Sequence, residues 1–147
     1  MEEKAVDEMT APRMETHPDI MELQAKYERA AQTPTAQTVA GLTFLTGLYL
    51  TISPWVVGFN HVPTLTANNL IVGIALALLA LGFASAYGRT HGIAWVAPLI
   101  GVWTIVAPWV VSGHVATAAT IANNVVVGAL AVLLSLGAVA IGMRPKR

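Results

Sequence analysis

Between Val39 and Met143 the only Lys, Arg, Asp or Glu is Arg89. A water-soluble domain of that length cannot cover its surface with one formal charge, so this stretch must face something other than water. The neutral charge balance of the whole chain hides the asymmetry. All eight acidic residues lie between Glu2 and Glu28, and the mean hydropathy of +0.63 averages a polar N-terminal segment with an apolar remainder. With no cysteine there is no disulfide, no thiolate nucleophile and no sulfur-ligated metal.

Within the apolar region four stretches have spanning length: about Val39 to Val57, Asn69 to Tyr87, Ile93 to Val111 and Asn124 to Met143. Each is near the ~20 residues a helix needs to cross a hydrocarbon core of ~30 Å. Barrel strands would need alternating polar and apolar positions, and these runs are apolar on every face. The expected class is all-α, a four-helix transmembrane bundle. Ahead of it, residues 1–17 are polar and aperiodic, and from Pro18 helical spacing begins at Ile20, Leu23 and Tyr27. Asp19 with Glu22 three residues on has the pattern of a capping box, so a short amphipathic helix is expected at about 19–31. Such a helix can lie on the bilayer or the bundle, or dock a soluble partner. Nothing near the first apolar run resembles a signal-peptide cleavage site, so that run is expected to remain as an anchor.

The apolar region repeats itself. Ser53-Pro54-Trp55-Val56-Val57 returns as Ala107-Pro108-Trp109-Val110-Val111, and Asn68-Asn69 with Gly73 returns as Asn123-Asn124 with Gly128. The offset is 54 residues at the prolines and 55 at the asparagines, and Gly47/Gly101 and Gly82/Gly137 extend the match. A unit of two apolar helices therefore occurs twice, with one residue gained in its middle loop. The divisions are a segment at 1–38, a first repeat at 39–88, a turn at 89–92, a second repeat at 93–143 and a basic tail at 144–147.

Orientation follows from the cations. Lys4, Arg13, Lys26 and Arg29 precede the first span, Arg89 lies between the second and third, and Arg144, Lys146 and Arg147 follow the fourth. The positive-inside rule puts both termini and the Gly88 to Gly92 turn in the cytoplasm. Because each unit holds two spans, the copies are parallel and related by a pseudo-twofold axis along the membrane normal, unlike the inverted repeats of many transporters. The outer loops, Gly58 to Ala67 and Ser112 to Ala122, are uncharged and semi-apolar (Val62, Leu65, Val115, Ile121), so they are expected to fold over the bundle as a lid.

Ser53-Pro54-Trp55, followed in register by Ala107-Pro108-Trp109, resembles the signature of the SPW-repeat family of small bacterial integral membrane proteins. The resemblance covers about Val39 to Met143 and extends to the His17-Pro18-Asp19-Ile20-Met21 lead-in. It implies a multi-pass protein of the bacterial inner membrane and supplies no catalytic residues. Ala107 departs from the signature, so a hydroxyl role at Ser53 has no symmetric partner.

Read from the residues, the signature is architectural. Pro54 and Pro108 have no N–H to give the carbonyls of Leu50 and Thr104, and hydrocarbon offers no substitute donor. The asparagine amides of the returning helices can supply one. One Asn of each pair is expected to cap its own helix while the other reaches the proline-containing helix end. Trp55 and Trp109 suit an interfacial belt. Gly73 and Gly128 lie on one helix face and Gly82 and Gly137 on the other, which allows close approach on two sides. Pro98, which aligns with Phe44, is expected to kink the third span.

His61 and His114 fall in outer loops at non-equivalent positions without an acidic companion, so no metal is expected. The spans contain no ionisable residue for proton coupling, and no phosphate loop, metalloprotease motif or paired nucleophile and base occurs. The expected function is a structural or accessory packing subunit without enzymatic activity, cofactor or nucleic-acid partner. Its partners are the lipid bilayer and a second copy or another membrane protein. The principal rival is a small permease or channel for a neutral or apolar molecule along the repeat interface, and a third reading is a sensor reporting membrane state through the N-terminal helix.

Overall fold

The computed structural model describes residues 18–112 and 116–142. Its elements are α1 (Pro18–Ala31), α2 (Pro34–Val57), α3 (Pro63–Thr90), a 3₁₀ turn (His91–Ile93), α4 (Val96–Val111) and α5 (Ala118–Gly142), with no strand among the described residues. The boundaries extend beyond the apolar runs because local chemistry sets them. Thr33 ends one helix and starts the next: its hydroxyl donates to the Ala30 carbonyl at 2.9 Å and accepts from the Ala36 N–H at 3.3 Å, with Pro34 at the first helical position. Pro63 likewise takes the first helical position of α3, though Val62 before it offers no capping hydroxyl, and the Thr117 hydroxyl accepts from the Thr120 N–H at 3.3 Å to open α5. Both returning helices therefore start about six residues before their asparagine pairs.

Helix α4 is the exception. Three helical segments, Pro34–Val57, Pro63–Ser85 and Ala118–Ile141, are long and apolar enough to cross a membrane, but α4 has only 16 residues. At 1.5 Å per residue it is about 24 Å long, short of the ~30 Å core. The shortfall lies at its start: a helix is expected from Ile93, but Ile93 ends a 3₁₀ turn, residues 94–95 form a turn and the α-helix begins at Val96. Pro98 thus sits in the first turn, where N–H groups have no intrahelical acceptor, and the expected mid-span kink is replaced by a helix start.

Helices α2 and α3 form one hairpin and α4 and α5 the other; across the hairpins α2 touches α5 and α3 touches α4, which closes a four-cornered ring. Helix α1 packs on α3, with lesser contacts to α5 and α2. We call the ends of the ring the loop end, after the 58–62 loop, and the turn end, after His91–Ile93.

The surface is apolar, unlike that of a soluble bundle, and polar residues sit inside among apolar ones. Asn69, Asn124, Ser53, Thr43, Thr104 and Ser135 are buried, whereas Leu45, Val56, Ile71, Leu78, Val126 and Leu133 are exposed. The interior hydroxyls are spent on their own helices, as Thr43 on Val39, Thr46 on Leu42 and Thr104 on Ile100, at 2.7–2.8 Å. In water the exposed leucines and valines would be the cost; in lipid they are the solvent-facing surface.

Each hairpin crosses at paired glycines. A Cβ on Gly47 would stand 2.7 Å from both the Ala77 nitrogen and the Gly73 oxygen, and one on Gly128 would stand 2.8 Å from the Gly101 oxygen. Only hydrogen fits there. Gly137, expected to serve a second close face, has open space where its Cβ would be.

Candidate functional site at the bundle axis

At the level of the prolines the axis carries a polar cluster that joins the hairpins. Asn69 of α3 and Asn124 of α5, both fully buried, face each other across the diagonal of the ring and exchange amide bonds: Asn69 Nδ2 donates to Asn124 Oδ1 at 3.0 Å, and Asn124 Nδ2 donates to Asn69 Oδ1 at 3.3 Å. Their neighbours extend the pair outward. Asn68 Nδ2 donates to Asn69 Oδ1 and Asn123 Nδ2 to Asn124 Oδ1, each at 3.2 Å. The Trp103 indole N–H of α4 donates to Asn68 Oδ1, and the Tyr49 hydroxyl of α2 to Asn123 Oδ1, each at 2.8 Å. A continuous chain of six side chains thus crosses the bundle and touches all four helices. It is uncharged throughout, and low local dielectric favours such a chain only when its members are paired.

The expected capping role does not hold, because Asn68, Asn69, Asn123 and Asn124 lie inside their helices. The carbonyl freed at Leu50 is also handled differently. The Ser53 hydroxyl donates to Leu50 O at 2.8 Å and accepts from Asn69 Nδ2 at 3.1 Å, so Asn69 reaches the proline-released carbonyl through Ser53. Both Asn69 donors are then used, one on Ser53 and one on Asn124. Ala107 offers no hydroxyl in the second hairpin, and among the described residues Asn124 Nδ2 makes a single bond.

Pro54 and Pro108 are fully buried three residues before the last helical position, and the helices run through them to Val57 and Val111. Trp55 and Trp109 point outward, 56% and 53% exposed. Gly73 and Gly128 hold the glycine crossings. The structure therefore brings Ser53, Asn69 and Asn124 into one cluster, places Asn68 and Asn123 on its flanks, and keeps both tryptophans outside it. Tyr49 and Trp103 escaped sequence reasoning. Their signal was present, since they are aligned at the 54-residue offset and each ends in a hydrogen-bond donor that hydrocarbon would leave unmet.

Above the polar layer, toward the loop end, Phe59, Val62, Leu65 and Ala107 form a buried apolar cluster. Gly58 makes it possible by adopting φ 94° at the end of α2, and the turn is held by Val62 N–H donating to Phe59 O at 2.9 Å. The Thr64 hydroxyl donates to Val111 O at 3.3 Å and ties this loop to the other hairpin. The 58–62 loop thus folds over the bundle. In the second, residues 113–115, which include His114 and Val115, lie outside the described residues, and Ile121 is already helical. Below the polar layer, Leu76, Phe83, Ala94, Ala97 and Ala131 form a second apolar cluster.

The described residues contain no group of three His, Asp or Glu able to hold a metal, and His61 is an exposed loop residue whose Nδ1 lies 3.1 Å from Gly58 O.

The family model of the SPW repeat domain matches residues 37–138, which include both proline signatures, both asparagine pairs and the four crossing glycines. The chain belongs to the SPW repeat family. No curated protein and no solved structure matches it. Family membership and the three long apolar helices together mark this SPW repeat protein as a membrane protein.

Proposed function

We propose that this SPW repeat protein is a structural or accessory packing subunit of the bacterial inner membrane, made of an internally duplicated helical hairpin and without enzymatic activity. All four helices cross the bilayer in this reading, α4 with the help of its preceding 3₁₀ turn. Both termini, α1 and the Arg89 turn are cytoplasmic, because the cations collect at that end. Trp55 and Trp109 then lie in the outer interfacial belt. The partners are the lipid bilayer and a second copy or another membrane protein.

One observation carries the reading: the axis, where a path for a solute would run, is occupied by the fully buried Asn69 and Asn124 bonded to each other, between two apolar clusters. Groups bonded in this way hold helices together and offer no charge to a substrate.

A polar layer between two apolar layers also supports the rival, a conduit for a neutral molecule seen closed, since apolar constrictions gate by excluding water. Liposome reconstitution separates the two. With the packing role, vesicles shrunk by external glycerol or urea re-swell at the rate of protein-free vesicles. Faster re-swelling that an Asn69→Leu variant abolishes would favour the conduit.

A further inference from the structure

The seam between α2 and α5 differs from its counterpart between α3 and α4. It contains a lipid-facing slot of about 250 Å³ lined by Leu42, Leu45, Thr46 and Tyr49 of α2 and by Val127 and Leu130 of α5. These residues fall on one stripe of each helix, and Asn123, one turn from Val127, continues the α5 stripe to the Tyr49 hydroxyl. The slot is therefore apolar along its length and polar at one end. The Thr46 hydroxyl is spent on Leu42 O. At the polar end, the Tyr49 oxygen can still accept, and among the described residues one hydrogen of the half-exposed Asn123 amide has no protein acceptor.

We propose that this slot binds a neutral single-chain amphiphile dissolved in the bilayer, with its hydrogen-bonding head on Tyr49 and Asn123 and its hydrocarbon chain along Leu42, Leu45, Val127 and Leu130. The slot follows the α2 stripe from Leu42 to Tyr49, about 10 Å, so it offers an apolar track for a length of extended hydrocarbon chain. Charge selects the head. Tyr49 lies eight residues before the end of α2, about 12 Å inside it, and no Lys, Arg, Asp or Glu occurs between Val39 and Arg89 or between Arg89 and Met143. A charged head at that depth would be left unpaired in hydrocarbon, whereas a hydroxyl or carbonyl finds both a donor and an acceptor. The other seam lacks this end chemistry: Trp103 stands at the Tyr49 position, and its indole N–H, already given to Asn68, leaves no acceptor.

The inference rests on the membrane reading. Its test uses the full chain in lipid nanodiscs with two photoreactive probes of one chain length, a long-chain alcohol and the corresponding alkane, and maps adducts by peptide mass spectrometry. Alcohol adducts are expected to concentrate on the Leu42 to Tyr49 and Asn123 to Leu130 segments. Leu130→Trp, which fills the slot from an exposed position, should reduce them several-fold. Tyr49→Phe should reduce alcohol labelling while leaving alkane labelling unchanged. Adducts spread evenly over the lipid-facing surface, or indifferent to both substitutions, would overturn the proposal, as would cross-linked dimers in place of lipid adducts, which would put a second copy in the seam. A chain that fails to enter nanodiscs at all would overturn the membrane reading itself.

Discussion

The two hairpins share a backbone plan and differ in how it is finished. Both cross at a glycine pair, both carry a buried proline one turn from the loop end, and both place an asparagine on the axis. In the first hairpin Ser53 links the proline-released carbonyl to Asn69, and Phe59 turns inward beside it. The aligned positions in the second are Ala107 and Gly113, the latter outside the described residues. The features held in common are those that lipid makes compulsory, close helix approach and paired polar groups. The features that differ are those one hairpin can supply for both, because Asn69 and Asn124 join the hairpins into a single network.

Substitutions at the crossing glycines should break the comparison most strongly. At Gly47 an added Cβ meets backbone, the Ala77 nitrogen and Gly73 oxygen both at 2.7 Å, whereas at Gly101 the nearest atom is the Val132 Cγ2 at 2.6 Å, a side chain that can shift, with backbone following at 2.8 Å. Both Gly→Ala changes overpack the crossing, and a cost of about 1–3 kcal/mol is expected, larger at Gly47 than at Gly101. Unfolding of the purified chain in mixed micelles, followed by circular dichroism, reads the difference; equal costs would mean that the two crossings are equally rigid.

The asparagines come next. Asn69 donates twice and Asn124 once. Asn69→Leu should therefore cost more than Asn124→Leu, by up to about 1 kcal/mol, given that single side-chain hydrogen bonds in membranes are worth about 0.6 kcal/mol on average. The same unfolding measurement ranks them, and the reverse order would show that Ser53 is not an effective partner.

The smallest effects sharpen the difference between the copies. Ser53→Ala makes the first hairpin resemble the second, and Ala107→Ser does the converse. Removal of the Ser53 hydroxyl is expected to cost about 0.6 kcal/mol, and Ala107→Ser to return only a fraction of that, because the site already packs against the Phe59, Val62 and Leu65 cluster. A destabilising Ala107→Ser would show that the apolar cluster there leaves no room for an oxygen.

Much of this architecture was legible in the residues. The charge-free run points to helices, and the doubled Pro-Trp and Asn-Asn positions point to the hairpins. Helix starts were not legible from hydropathy, because Thr33, Pro34, Pro63 and Thr117 act through capping and fixed φ, which a hydropathy window does not register. The length of α4 was hidden for the same reason at Pro98. The Asn69 and Asn124 pairing escaped because each amide was matched to the carbonyl nearest in its own repeat, while the ring closes across repeats and puts the two amides nearer each other. Tyr49 and Trp103 were masked by their aromatic character, since only the ring closure gives their polar tips an acceptor.

The central claim is that the reciprocal Asn69 and Asn124 bonds lock the two hairpins together, and a double-mutant cycle tests it most directly. Asn69→Leu, Asn124→Leu and the double variant would be unfolded under identical conditions in mixed micelles. Each single change leaves one buried amide facing leucine, whereas the double change leaves none in the pair, so the double variant should be more stable than the summed costs by about 1 kcal/mol. Costs that simply add would contradict the claim, because two residues exchanging hydrogen bonds in a buried site cannot be independent.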